Sequence, residues 1–261
     1  MRATLAVFKS TVGVHLKNTL ARPMFQVVLV VQPFVVATTT YMLYRQSQVA
    51  DLAEFVILGG GLAGIWSALT FSSAGDIHRE RFYGTLQPML ASPSRLLLLF
   101  SAKISANALL SLLALLLSFV YGRFLLRVAV AFPHPLAFVA ALLAFLFAAN
   151  AYALCLSTIF LLSRSTLVMQ NFLEYPLLLL GGLAFPVSVL PRWAQALSQA
   201  LPLRWGAEAL RLTLGAAPLE EAFWSSLIWT LVCGGLYFGL AGWLFKRVER
   251  RVRRDASLDL A

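Results

Sequence analysis

The run 135–161, PLAFVAALLAFLFAANAYALCLSTIFL, contains no charged side chain. A helix of about 20 such residues spans a hydrocarbon core ~30 Å thick. Inside lipid every backbone N–H and C=O must be satisfied within the protein, which a helix does unaided. Five further segments are similarly long and apolar, three of them with a single charged residue (Glu54, Lys103 and Glu174), so we expect spans over 24–44, 54–74, 96–121, 135–161, 166–185 and 222–245. The fold class follows: an all-α integral membrane protein with six transmembrane helices. Composition agrees, since only 12% of the 261 residues are charged and mean hydropathy is +0.80. A soluble domain carries about a quarter charged residues.

An even number of spans puts both termini on one side, and basic residues choose that side. Arg2, Lys9, Lys17, Arg22, Arg79, Arg81, Arg95, Arg164, Lys246, Arg247, Arg250, Arg251, Arg253 and Arg254 fall on the terminal side. The opposite side has Arg45, Arg123, Arg127, Arg192, Arg204 and Arg211, with Lys103 near a span end. Both termini are therefore expected in the cytoplasm; the membrane expected is the inner membrane of a prokaryote. The net charge of +10 resides largely beside apolar runs, where it meets anionic lipid, and this placement argues against nucleic acid as a partner.

The whole chain reads as one transmembrane domain with three appendages. Residues 1–23 form an interfacial helix rather than a cleaved leader: Leu5, Phe8, Val12, Leu16 and Leu20 recur at helical spacing, with Lys9 and Lys17 on other faces. Pro23 makes a corner into the first span. Residues 186–215 are too polar to cross, and predict a pair of re-entrant or surface helices. Pro191 starts the first, in which Trp193, Leu197 and Leu201 form an apolar stripe, and Pro202 stops it. Residues 246–261 form a basic tail.

Several letter patterns point to chemistry that their context excludes. Gly59-x-Gly61-x-x-Gly64 matches the dinucleotide fingerprint, but that motif needs a preceding strand and a soluble βαβ unit. Within an apolar span, small residues let helices approach closely. No G-x-x-x-x-G-K-[ST] occurs, so this chain has no P-loop for ATP. His15, His78 and His134 all lie outside the expected spans, and Cys155 and Cys233 lie inside them without ligand spacing. We expect no metal, no cofactor and no catalytic residue in this chain.

Glu174 is the one acid deep inside an expected span. Such a charge costs about 3 kcal/mol, and each Leu, Val or Phe of the span returns roughly 0.3–0.6 kcal/mol. It reads either as a packed, hydrogen-bonded side chain or as the lining of a polar path with Gln170 and Asn171; Asn150 has the same two readings. The segment 75–95, GDIHRERFYGTLQPMLASPSR, is the charged insert between the second and third spans. Phe82, Tyr83, Leu86, Met89 and Leu90 give it an apolar face, and Gly84 and Pro93 punctuate it as helix, break, helix. Lying along the membrane surface, it can act as a lever between a soluble motor and two spans.

Two motifs carry a resemblance. Glu80-Arg81-x-x-Gly84-Thr85-Leu86 followed by Ser92-Pro93-x-Arg95 resembles the cytoplasmic coupling segment of type-2 ATP-binding-cassette (ABC) exporter permeases. Phe185-Pro186-x-x-x-Leu190-Pro191-x-Trp193, with Leu201-Pro202-Leu203 and Ala209-Leu210-Arg211, resembles that family's segment before the last span. In style the chain is similar to daunorubicin-resistance-type drug exporters, although family members often have Glu where this chain has Gln87.

The resemblance implies a half-transporter that pairs with a second permease, identical or sister, and docks a separate cytoplasmic ATPase that binds ATP and Mg. Glu80, Arg81, Gly84, Thr85 and Leu86 then contact that ATPase. Trp66, Asn150, Gln170, Asn171 and Glu174 are expected along the substrate path, and Pro186, Pro191 and Trp193 at an extracellular gate. The expected cargo is amphipathic or lipid-like: a drug, lipid, glycolipid or polysaccharide. A scaffold or immunity factor binding the same ATPase is an alternative, and a lipid-modifying enzyme another.

Overall fold

The structure, a computed structural model, describes residues 2–44, 54–91, 95–128, 132–163, 165–183, 185–215 and 219–255. All regular structure among them is helical. In chain order the helices are α1 (Arg2–Leu20), α2 (Pro23–Tyr44), α3 (Gly59–Phe82), α4 (Leu86–Ala91), α5 (Leu96–Phe124) and α6 (Pro135–Leu162). They continue with α7 (Thr166–Leu180), α8 (Arg192–Gln199), α9 (Pro202–Leu212) and α10 (Glu221–Asp255). A π-helical turn, Glu54–Leu58, leads into α3, and a 3₁₀ turn, Val187–Val189, precedes α8.

Helix α3 is the axis of the bundle and packs on α2, α5, α6 and α7. Its most apolar stretch is 94% buried, against 17% for that of α10 and 22% for that of α2. A helix apolar on every side is stable only when surrounded. Here neighbouring helices surround α3, whereas α2 and α10 leave most of their apolar surface for lipid.

Glycines make this close approach possible. A Cβ at Gly60 would lie 2.6 Å from Ser118 Oγ and 3.0 Å from the Pro33 carbonyl oxygen. One at Gly64 would lie 2.7 Å from Ala114 Cβ and 2.9 Å from Pro33 Cγ, and one at Gly61 2.9 Å from Leu115 Cα. The glycine-rich run is thus a contact face of α3 toward α2 and α5, as its setting in an apolar span suggests.

Among the described residues, five helical stretches are long and apolar enough to cross a membrane: Pro23–Leu43, Phe55–Phe82, Leu96–Phe124, Pro135–Leu162 and Glu221–Arg250. The segment expected as a fifth span over 166–185 departs from this. Helix α7 has 15 residues, about 22 Å at 1.5 Å per residue. It ends where Gly181 and Gly182 turn the chain, Gly182 with φ of +63°, a conformation that favours glycine. The freed carbonyls beyond it are not left bare. Ser198 Oγ of α8 donates to Leu180 O at 2.6 Å, while Arg211 Nη2 of α9 donates to Gly182 O and, at 3.2 Å, to Leu183 O.

The last helix also differs from expectation, since it continues into the basic tail as far as Asp255. In α8 the stripe Trp193, Leu197, Leu201 does not face inward as one unit. Trp193 and Leu197 are exposed, and Ala194, Ser198 and Leu201 are buried. The small residues pack because α8 sits directly against the end of α7.

Gly61→Val is expected to destabilise the bundle by about 1–3 kcal/mol, the usual range for overpacking. Thermal unfolding of detergent-solubilised protein would show it. Gly75→Ala is the control, expected to leave the midpoint unchanged or raised, because no atom lies within 4 Å of its Cβ position.

Candidate functional site

The charged insert is not a separate surface helix throughout. Residues 75–82 prolong α3 without a break, so its first half is a direct extension of the most buried helix. The chain leaves helical geometry at Tyr83 and Gly84, the latter at φ of +66°, and α4 follows. Ser92, Pro93 and Ser94 of the motif lie outside the described residues, as do the side chains of Gln87 and Leu90.

A buried carboxylate fixes this arm. Asp76 is 3% exposed, and His15 Nε2 lies 3.0 Å from its Oδ2. Arg22 Nη1 and Arg79 Nη2 donate to its Oδ1 at 2.6 and 3.0 Å. His15 Nε2 is also 3.0 Å from Asn107 Nδ2 on α5. One acid on α3 thus gathers groups from α1, the corner before α2, and α3 itself, with α5 alongside. The buried face of α1 is centred on His15 and Thr19, with Phe8, Val12 and Leu16 half-buried beside them; Leu5 and Leu20 of the expected stripe are exposed.

A turn further along, Lys103 Nζ of α5 donates to Glu80 Oε1 at 2.5 Å, and the Thr85 hydroxyl donates to Glu80 across the Gly84 bend. Arg81 faces the other way. Its guanidinium donates to Leu161 O and Ser163 O, each at 2.5 Å, and to Thr166 Oγ1 at 3.2 Å. These carbonyls end α6, where four C=O groups lack partners within the helix. Arg81 therefore closes α6 and holds it to the start of α7. Leu86 is buried, whereas Phe82, Tyr83, Gly84, Thr85 and Arg95 are exposed, Phe82 at 78%. Phe82 and Tyr83 meet edge to face with centroids 5.3 Å apart.

The residues expected along a substrate path separate into buried and more exposed groups. Trp66 is fully buried; its Nε1 donates to the Glu174 carbonyl oxygen at 3.3 Å, and its ring tilts against Tyr152. Gln170, one turn from Glu174, is buried as well. Glu174 itself is half-buried, and Asn171 is exposed on a face of α7 shared with Phe172 and Tyr175. Asn150 is half-buried on α6 and donates to Leu146 O at 2.7 Å, within its own helix. Gln170 Oε1, Asn150 Oδ1, Ser67 Oγ and Thr70 Oγ1 are buried without a hydrogen-bond partner among the described residues. At the Arg211 end, Pro186 is half-buried before the 3₁₀ turn. Pro191 is exposed, and its carbonyl accepts from Ala194 and Gln195 N–H at the start of α8; Trp193 is exposed beside it.

The family model described as ABC-2 type transporter matches residues 7–214. The chain belongs to this family. It is a type-2 ABC permease and a multi-pass membrane protein, and this family is a membrane transport component rather than a catalytic one. A comparison with curated proteins finds no match. The match runs from within α1 to the end of α9, taking in the arm, α7 and both short helices.

Sequence reasoning missed two residues of this ABC-2 permease that matter to its site. His15 had no local signal, since its partner Asp76 lies far along the chain. Asp76 is an acid at the end of an apolar run, the one place where its burial against cations can be inferred once α1 is known to fold back. Asp76→Ala removes the carboxylate from three basic groups, and breaking such a buried set costs about 3–5 kcal/mol. The thermal midpoint should fall by a corresponding amount, while His78→Ala, an exposed change on the same helix, should leave it in place.

Proposed function

We propose that this permease is the membrane half of an ATP-driven exporter of amphipathic or lipid-like compounds, with both termini in the cytoplasm of a prokaryotic cell. A separate cytoplasmic ABC ATPase, which binds the ATP and Mg, docks on the tip of the arm. Two permease subunits, identical or sister chains, enclose the path between six spans each, with α7 and the turn after it completing the fifth. The observation that carries this reading is the unbroken run of α3 from the bundle's buried centre to exposed Phe82 and Tyr83. A motor that moves this tip moves Trp66 and its neighbours without an intervening hinge.

The roles within the coupling motif divide accordingly. Phe82, Tyr83, Gly84 and Thr85 meet the ATPase. Glu80, Arg81 and Leu86 keep the arm's shape through Lys103, the end of α6 and the core. The exposed α7 face, with Asn171 and Glu174 at its edge, lines the path or meets the second subunit. Partnerless polar atoms on Ser67, Thr70, Asn150 and Gln170 support water reaching this region, because dry burial of such groups costs free energy. The daunorubicin-resistance-type likeness agrees with a small amphipathic cargo.

Coupling can be tested in proteoliposomes that contain the permease and its ATPase. Phe82→Ala with Tyr83→Ala should reduce ATPase co-purification and abolish transport while the permease still inserts and melts normally. Wild-type transport by that double variant would reject the docking surface. For the path, Glu174→Gln should change transport at least several-fold with expression unaltered. Parallel loss of expression and transport would instead make Glu174 a packing residue.

A further inference from the structure

A cavity of about 640 Å³ opens at the Arg211 end, between the 3₁₀ turn, α9 and the start of α10. Its size is in the range of small-molecule sites, roughly 300–1,000 Å³. Two arginines line it, and they differ in state. Arg211 is buried and engaged: it donates to the Gly182 and Leu183 carbonyls, lies over the Phe55 ring at 4.6 Å, and has Glu208 Oε2 at 3.8 Å. It belongs to the wall.

Arg204 is held differently. Its guanidinium carbon sits 4.8 Å above the Trp205 ring, which is itself stacked with Trp229 at 6.0 Å. Its Nη1 is buried with no hydrogen-bond partner among the described residues. A guanidinium fixed by stacking, with a desolvated N–H still unused, is prepared for an oxyanion, which planar arginine recognises well. Beside it Trp205 and Phe223 supply apolar lining, and exposed Glu220 places a negative charge at the rim.

We infer that this cavity binds the headgroup of an anionic amphiphile, a phosphate monoester or carboxylate on an alkyl tail, with Arg204 as the anion-binding residue. Glu220 at the rim limits how tightly an anion is held, and the aromatic wall takes the first part of the tail. The inference rests on the exporter reading in one respect, that this end faces outward. There the cavity holds cargo after it has crossed, so the site selects what is discharged.

The test uses the full-length chain purified in an uncharged maltoside detergent, with dodecyl phosphate as the probe and retention followed by native mass spectrometry. Arg204→Gln should weaken dodecyl phosphate binding about tenfold, the scale of one charge-assisted hydrogen bond. Arg192→Gln, which removes the same charge from exposed α8 outside the cavity, should leave it unchanged, and Glu220→Gln should strengthen it. Equal losses in Arg204→Gln and Arg192→Gln would reduce the effect to general surface charge and overturn the site. Displacement of dodecyl phosphate by an equal concentration of inorganic phosphate would overturn the amphiphile assignment. If Arg204→Gln does not fold, the wild-type chain decides: equal retention of dodecyltrimethylammonium and dodecyl phosphate would also reject the inference. The assay involves neither ATPase nor transport, so its failure leaves the docking proposal standing.

Discussion

Buried charge at one end of α3 is the constraint on which the remaining architecture depends. Asp76 can be taken out of water only because His15, Arg22 and Arg79 surround it, and an isolated carboxylate there would carry a large desolvation penalty. Satisfying it requires α1 to fold back along the bundle, the chain to turn sharply before Pro23, and α5 to present Asn107 alongside. Glu80 with Lys103 and Arg81 with the end of α6 repeat the logic on either side. These polar contacts join the same helix to several neighbours, so this end of α3 is located from several directions at once.

At the opposite end the problem is reversed. There the backbone, not a side chain, needs partners, since Gly181 and Gly182 stop α7 before it has the length of a full crossing. Arg211 and Ser198 supply donors to carbonyls that would otherwise be unpaired. The two short helices are therefore more than a cover over the bundle. They complete α7 chemically, which explains how its early stop is compatible with the apolar residues around it.

The sequence was most legible where length and hydropathy suffice. The runs behind α2, α3, α5, α6 and α10 stand out because no soluble fold would use them, and Pro23, Gly84, Pro191 and Pro202 mark real corners. The shortness of α7 was hidden because Gly181 and Gly182 lie among leucines, and a hydropathy average does not register a turn. The inward face of α1 was hidden for a related reason. Its central residues, His15 and Thr19, are polar, so periodicity selected Leu5 and Leu20 instead. In the site, the motif around Gly84 was visible as a string, but the inward turn of Glu80 and Arg81 depends on Lys103 and Leu161, which only folding brings near.

The glycine face of α3 has a mechanical consequence. Packed against Pro33, Ala114 and Leu115, it forms a smooth bearing near one end of a stiff rod, with the aromatic pair at the other. From Gly61 to Phe82 the rod is about 32 Å long at 1.5 Å per residue. Because α1, Lys103 and the end of α6 hold the far end, displacing it by 5 Å would tilt the rod by roughly nine degrees for that length and carry those neighbours with it. A push on the aromatic pair would thereby reach the bundle as a rotation, with the fulcrum set by residues that have no side chain to obstruct it.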